Sequence, residues 1–240
     1  MSLVRLSVGW HRIGLLVGAV TILAAAPAIA GCNSGDMASS ARLSSAACQA
    51  TGTGTDALAV GGSAEATAAG STAIGISADA TASWSSSLGS FSDAKGQFAT
   101  ALGSFAGADA AVNGATAVGA NAGKGGAGVF STAIGAGLDF ETSSRASGGN
   151  SIAIGGSDDD SIPGARANGF RSIAIGQKSV SADFGTSLGF NTKTVFASTA
   201  IGTDARATAD SSTALGRFAK ASANAALRWV MARWPPNLVR

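Results

Sequence analysis

The sequence predicts an all-β fold, a β-solenoid whose stacked coils each hold about 14 residues. A tripeptide of one small residue, one branched aliphatic residue and glycine recurs eleven times between residues 59 and 216. The residues around each copy alternate with the period of two that is typical of strands, and no helical period runs through them. Charged residues (12%) and aromatic residues (6%) are too scarce for the bulky core of one compact domain.

The first 30 residues are typical of a secretory signal peptide. Arg5, His11 and Arg12 form a positive start before an apolar run at residues 13–23, and residues 28–30 (Ala-Ile-Ala) offer a cleavage site of small residues. Residues 31–54 then form an N-terminal segment ahead of the repeats.

Cys32 and Cys48 leave two alternatives open. Residues 29–32 (Ile-Ala-Gly-Cys) are similar to the lipobox of bacterial lipoproteins, so Cys32 is a candidate for lipidation. In an oxidising compartment the two cysteines can instead form one disulfide.

The eleven aliphatic residues of the repeat are the predicted core. They are Val60, Ile74, Leu88, Leu102, Val118, Ile134, Ile154, Ile175, Leu188, Ile201 and Leu215. If these side chains point into the coil, the Ala or Ser before each one points outward. Because that residue is small in every copy, we expect a second copy of the chain to approach closely there.

A single coil cannot fold by itself. Burial of its one large aliphatic side chain contributes roughly 1.5–3 kcal/mol, whereas ordering its backbone costs about 1–2 kcal/mol per residue. Coils must therefore stack through a hydrogen-bonded ladder.

The repeats resemble the head of trimeric autotransporter adhesins, the YadA-like head repeat. The match is close at residues 150–155 (Asn-Ser-Ile-Ala-Ile-Gly) and 172–176 (Ser-Ile-Ala-Ile-Gly), and it covers residues 55–222. The resemblance implies a left-handed parallel β-roll that assembles as a homotrimer at the cell surface. It also implies adhesion to host matrix such as collagen, to cells, to other bacteria or to abiotic surfaces.

Two groups of residues are candidates for ligand binding. In some members the repeat motif is associated with collagen binding, which points to Asn150, Ser151 and Ser172, although the favoured interpretation is that these residues only build the roll. The long intervals 136–150 and 156–171 are predicted loops, and loops on solenoids tend to carry binding. Their large side chains, which we expect to contact a partner, are Phe140, Arg145, Arg166, Phe170 and Arg171.

Residues 223–240 form a basic tail that departs from the repeats. Residues 217–240 carry five basic residues and no acidic one, and residues 227–236 contain two Trp and no Gly. Neither the heptads of a stalk nor the strands of a membrane barrel follow. We therefore expect a frameshift or truncation, no membrane anchor of its own, and a periplasmic or secreted product. The alternative is a tail that touches a membrane surface.

Catalysis, cofactors and nucleic acid are not expected. His11, the only histidine, lies in the predicted signal peptide, which leaves no histidine base or metal ligand. The GxGxxG string at residues 123–128 lacks the flanking strand and helix of a dinucleotide site. The acidic cluster at residues 158–160 occurs once and predicts a solvated loop. Nucleic-acid binding is disfavoured because residues 31–216 carry 14 acidic and 9 basic residues, a net charge of −5.

Two further functions remain as alternatives. One is an ice-binding-like, surface-templating solenoid, which needs an unbroken outward row of Thr. That row is interrupted by Leu58, Ser86, Ile152 and Ile173. The other is a lipid-anchored or secreted remnant of a disrupted adhesin gene.

Overall fold

The computed structural model describes residues 50–108 and 112–229, and these residues form a β-solenoid of 22 short strands. The predicted signal peptide, both cysteines and residues 230–240 lie outside the described residues. Every strand pairs in parallel with the equivalent strand of the next coil. The predicted fold class, a solenoid of coils about 14 residues apart, is confirmed.

One long sheet of twelve strands runs through all the coils. Its strands are β2 (Leu58–Val60), β4 (Thr72–Ile74), β6 (Ser86–Leu88), β8 (Thr100–Leu102), β10 (Thr116–Val118), β11 (Thr132–Ile134), β12 (Ile152–Ile154), β14 (Ile173–Ile175), β16 (Thr186–Leu188), β18 (Thr199–Ile201), β20 (Thr213–Leu215) and β22 (Leu227–Trp229).

Two short sheets of two-residue strands face the long sheet across the interior. The first holds β1 (Thr51–Gly52), β3 (Glu65–Ala66), β5 (Asp79–Ala80), β7 (Asp93–Ala94) and β9 (Gly107–Ala108). The second holds β13 (Arg166–Ala167), β15 (Val180–Ser181), β17 (Lys193–Thr194), β19 (Arg206–Ala207) and β21 (Lys220–Ala221).

The long intervals leave the ladder of the long sheet unbroken. Ala133 pairs with Ala153, and Ala153 pairs with Ala174, although each step spans a longer stretch of chain than a regular coil does. Residues 138–141 and 158–161 form turns outside the ladder. Both insertions therefore decorate a continuous scaffold, as the sequence predicted.

Small side chains fill the interior of the coil. The central residue of nearly every long-sheet strand is fully buried, and so is the second residue of most short-sheet strands. In the long sheet these residues are Ala73, Ser87, Ala101, Ala117, Ala133, Ala153, Ala174, Ser187, Ala200 and Ala214. The core is a column of small side chains between the long sheet and the two short sheets.

The prediction that the aliphatic residues point inward is wrong. Leu102 is 46% exposed and Ile201 is 40% exposed, whereas the Ala before each is buried. The same reversal holds for the whole predicted core: Val60, Ile74, Leu88, Leu102, Val118, Ile134, Ile154, Ile175, Leu188, Ile201 and Leu215 are exposed or half-buried. The interior has room only for Ala, Ser or Thr, so the pleat directs the larger side chain outward.

The repeat glycines allow the coils to stack closely. Gly75 has φ +138°, and a Cβ there would lie 2.4 Å from the carbonyl oxygen of Gly89 on the next coil. An alanine would meet both a strained backbone and a backbone clash. The glycine in each tripeptide is therefore a requirement of the coil.

The solenoid extends beyond the predicted repeat boundaries of residues 55 and 222. Strand β1 already pairs with β3, and β22 continues the long sheet beside β20. In that last rung Arg228 takes the position where the other rungs carry Ala or Ser, and it is exposed. The first residues of the predicted tail thus continue the ladder.

Candidate binding surfaces

The outward face of the long sheet carries a continuous apolar row. We call the eleven aliphatic residues, from Val60 to Leu215, the aliphatic column; they stack in register on consecutive rungs. Beside them runs a half-buried row that is mostly Thr, such as Thr72 and Thr199. A contiguous exposed apolar row of this kind marks an interaction surface.

Exposed aromatic side chains gather at the turns on both sides of the long sheet. Phe91 and Phe105 occupy equivalent turns on consecutive coils, and their rings stack in parallel with centroids 5.0 Å apart. The Lys124 ammonium lies 5.1 Å from the centroid of the Phe105 ring. Both phenylalanines have positive φ, near +55°, which a bulky residue rarely adopts.

Glycines form seats for aromatic rings at the opposite turn. A Cβ at Gly70 would lie 2.4 Å from the Trp84 ring, and one at Gly114 would lie 2.2 Å from the Phe130 ring. Each ring therefore covers a glycine on the preceding coil while it remains exposed on its other side. An exposed ring held flat offers an apolar contact surface.

The first insertion brings together three of the residues predicted to contact a partner. The Arg145 guanidinium lies 4.2 Å from the centroid of the Phe140 ring, and Arg145 pairs through its backbone with Arg166. Arg166 in turn forms an ion pair with Glu141. Burial and the charge of Arg166 lower the pKa of Arg145. The cluster presents a cationic, aromatic surface.

The second insertion ends at another aromatic cluster. The Phe170 ring meets Phe184 edge to face with centroids 5.8 Å apart, and Phe184 meets Phe196 in the same way at 5.7 Å. The Arg171 guanidinium lies 5.0 Å from the Phe170 centroid. Phe170 and Arg171, both predicted to contact a partner, are exposed here.

The motif residues divide into one exposed residue and two buried ones. Asn150 is exposed at a turn with φ +54°. Ser151 and Ser172 are fully buried, and their hydroxyls donate to the backbone oxygens of Gly148 at 2.6 Å and Gly169 at 2.8 Å. The expectation that these two serines contact a ligand is therefore wrong, because their hydroxyls close the turn before the strand.

The acidic side chains of the insertions organise their own loops. Asp139 accepts hydrogen bonds from the backbone N–H and the hydroxyl of Thr142 and from the backbone N–H of Glu141, and these bonds lower its pKa. Asp159 accepts hydrogen bonds from Ser161, with the same effect on its pKa. Within residues 50–108 and 112–229 no group of three or more His, Cys, Asp or Glu is placed to hold a metal ion. In the same ranges no helix is long and apolar enough to cross a membrane.

A charged row on the short sheets was not anticipated from the sequence. It consists of the first residue of each two-residue strand, together with Gly123 and Arg145, which continue the row between the two short sheets; we call it the charged column. Its members are acidic early in the chain and basic late in the chain. In regular coils the sequence holds the signal for it, since each member lies four residues after the repeat glycine. In the coils with insertions this spacing grows to ten residues at Arg145 and eleven at Arg166.

One known protein family matches the repeats of this chain. The family model of the YadA head domain repeat matches residues 53–78, 80–106, 142–157, 167–192 and 197–219. These segments span most of the solenoid. No curated protein matches the chain.

Proposed function

This chain belongs to the family of YadA head domain repeats, and from that premise we propose that it is the head of a bacterial cell-surface adhesin. The family is a non-enzymatic, adhesin-type domain. In this proposal the head is exported and attaches a cell to host matrix such as collagen, to other cells or to an inert surface. The repeated outward surface of a continuous solenoid is the observation that supports it most directly.

We further propose that three copies assemble through the aliphatic column. In one chain this column leaves a row of Val, Ile and Leu side chains partly in water along eleven rungs. The interior of each coil holds mostly Ala and Ser, so burial within one chain contributes little hydrophobic free energy for its length. Packing the columns of three copies against one another removes this apolar area from water.

Because the aliphatic side chains point outward, the surface proposed to lie between subunits differs from the one predicted from the sequence. The small Ala and Ser residues, expected to lie between subunits, lie inside the coil instead. The contact between subunits in the proposed trimer is therefore made by side chains such as Ile74, Ile134 and Ile201, each exposed in the single chain.

Adhesion by such a head relies on repetition. Three identical chains present each surface cluster three times, so that weak single contacts combine into strong attachment. The clusters best suited to contact a ligand are Phe140 with Arg145 and Phe170 with Arg171, because each combines an aromatic ring and a guanidinium. Aromatic residues and Arg are enriched among the residues that dominate binding energy.

Retention of the purified full chain on collagen-coated, cell-coated and bare plastic surfaces tests the proposal. We expect retention on at least one of them, and a loss of retention in the variant Phe140→Ala, Arg145→Ala. The matched control is Phe218→Ala, Arg217→Ala, which removes a similar ring and guanidinium, 4.5 Å apart, outside both insertions. Retention on none of the surfaces would contradict the adhesin function. Equal retention of both variants would exclude the first insertion as the contact.

A further inference from the structure

The charged column changes sign once along the solenoid. Its acidic section is Glu65, Asp79 and Asp93, which pair in register on consecutive rungs. Its basic section ends in Lys193, Arg206 and Lys220, also in register on consecutive rungs. The whole column in chain order is Thr51, Glu65, Asp79, Asp93, Gly107, Gly123, Arg145, Arg166, Val180, Lys193, Arg206 and Lys220.

Like charges on neighbouring rungs repel one another in the acidic section. Adjacent strands lie about 4.8 Å apart, and like charges directly opposite each other on paired strands are destabilising. The pKa of Asp79 is raised by burial and by the charges of Asp93 and Glu65. Lys95 forms an ion pair with Asp93, so it offsets part of this repulsion at one end of the section.

The basic section presents a comparable excess of positive charge. Arg166, Lys178, Lys193 and Arg206 line a shallow groove of about 450 Å³. Glu141 reaches Arg166 from the first insertion. The groove therefore faces outward with a net positive charge beside a row of cations at rung spacing.

We infer that this face docks onto the same face of a second copy of the chain, in antiparallel orientation. With Arg145 at the two-fold centre, Glu65 lies opposite Lys220, Asp79 opposite Arg206 and Asp93 opposite Lys193. Arg145 then faces its own copy, which is one like-charge contact against six opposite-charge contacts. The next rungs inward place Gly107 opposite Val180 and Gly123 opposite Arg166. Each contact between two different members of the column occurs twice, as a two-fold interface requires.

A second copy fits this face better than an unrelated polyanion does. The coils that carry the acidic section and those that carry the basic section stack in the same way. Their charges therefore have the same spacing and stay in register over all three rungs. A polyanion would neutralise only the basic section and would be repelled by the acidic one. The neighbouring outward row contains uncharged residues at most rungs, such as Thr67, Thr81 and Thr208, which add no like-charge contact.

The docking face is separate from the aliphatic column. The short sheets and the long sheet lie on opposite sides of the interior, so a trimer built on the aliphatic column leaves the charged column in solvent. Loss of antiparallel docking and loss of the trimer therefore give different masses. Docking joins whole assemblies, and a trimer offers three charged columns, one on each chain, for further docking.

Sedimentation of the purified full chain at two ionic strengths tests the inference. We expect the mass of the assembly at least to double at about 0.05 M salt, since a trimer carries three charged columns and can dock to more than one other trimer. At about 0.5 M the mass should return to the undocked value, because salt screens exposed charge pairs. The variant Arg206→Glu should weaken docking about tenfold or more, since each interface then holds two like-charge contacts. The control Arg217→Glu makes the same charge change outside the column and should dock normally.

The charge-swapped variant, Asp79→Arg with Arg206→Glu in one chain, gives the decisive result. Docking should return to the level of the original chain, because each swapped residue again meets its opposite. Failure of the swap to restore docking, or a mass that does not depend on salt, would overturn the inference. Heparin serves as a polyanion probe: heparin binding that is lost in Arg206→Glu, without any docking of the original chain, would make the basic section a polyanion site instead.

Discussion

Ser187 and Thr192 form a hydrogen bond across the interior of one coil, with 2.8 Å between Oγ and Oγ1. The Thr192 hydroxyl in turn donates a hydrogen bond to the backbone oxygen of Gly189 at 3.0 Å. A second coil repeats the arrangement with Ser87 and Ser92 at 2.6 Å. Other coils place two alanines at these positions, as at residues 200 and 205. In these two coils the polar residues thus enter the narrow interior as a matched pair.

Substitution of one partner of this pair should cost more than substitution of both. Thr192→Ala leaves the buried Ser187 hydroxyl without its acceptor, which should lower the free energy of unfolding by about 1–3 kcal/mol. The double variant Ser187→Ala, Thr192→Ala recreates the Ala pair of residues 200 and 205 and should cost clearly less than the two single losses added together. Urea unfolding of the four chains measures the coupling, and strictly additive losses would show that the hydrogen bond contributes nothing.

The repeat glycine should be irreplaceable for two separable reasons. Gly75 and Gly126 have nearly equal φ values, +138° and +135°, but only Gly75 has backbone atoms where a Cβ would lie. Gly126→Ala should therefore cost only backbone strain, of order 1–3 kcal/mol. Gly75→Ala should cost at least about 1 kcal/mol more, since it adds a clash in a packed region. Equal losses of stability in thermal unfolding would contradict the tight stacking of the coils.

The width of the interior can be tested at two neighbouring residues. Ala174→Leu puts a large side chain into a fully buried position and should destabilise the chain by about 1–3 kcal/mol or more. Ile175→Leu changes a half-buried outward side chain of similar volume and should cost well under about 1.5 kcal/mol. Chemical denaturation of both variants compares them directly. A larger loss of stability in Ile175→Leu than in Ala174→Leu would support the inward orientation that the sequence predicted for the aliphatic residues.

Asp79 should weaken the fold at neutral pH. Its pKa is raised in the folded chain by burial and by Asp93 and Glu65, so its ionisation favours unfolding. The destabilisation is complete above the folded pKa and disappears below the unfolded pKa. Asp79→Asn should therefore raise stability at neutral pH and lose that advantage in acid. Asp158→Asn, in an exposed loop, is the control. A stability difference that did not change with pH would exclude this electrostatic cause.

The fold was predictable because aligning the repeated tripeptides also gives the pairing of residues between neighbouring strands. Eleven tripeptides with a strand period indicate stacked coils, and the ladder of Ala133, Ala153 and Ala174 follows that alignment even across the insertions. The orientation was not predictable from alternation, which distinguishes two faces without showing which one is inside. The usual preference of large aliphatic residues for the interior fails here because the coil is too narrow for Ile154 or Ile175.

The candidate site was predictable only in part. The long intervals between repeats predicted partner contacts at Phe140, Arg145 and Phe170. The structure has these residues in two clusters of aromatic and cationic side chains. The stacked pair of Phe91 and Phe105 could not be seen without the rung alignment, because the two residues are 14 positions apart in regular coils. Ser151 and Ser172 were misassigned because a serine that closes a turn and a serine that binds a ligand give the same motif.

The mass of the purified full chain in solution tests the central claim most directly, namely that the outward aliphatic column is an interface between three copies. At an ionic strength high enough to screen the charged column, sedimentation equilibrium should give three times the mass of one chain. The variant Ile134→Asp, Ile201→Asp should shift the mass towards that of one chain, because carboxylates cannot be buried in an apolar contact without a large cost. A folded monomer of the original chain at high concentration would contradict the account.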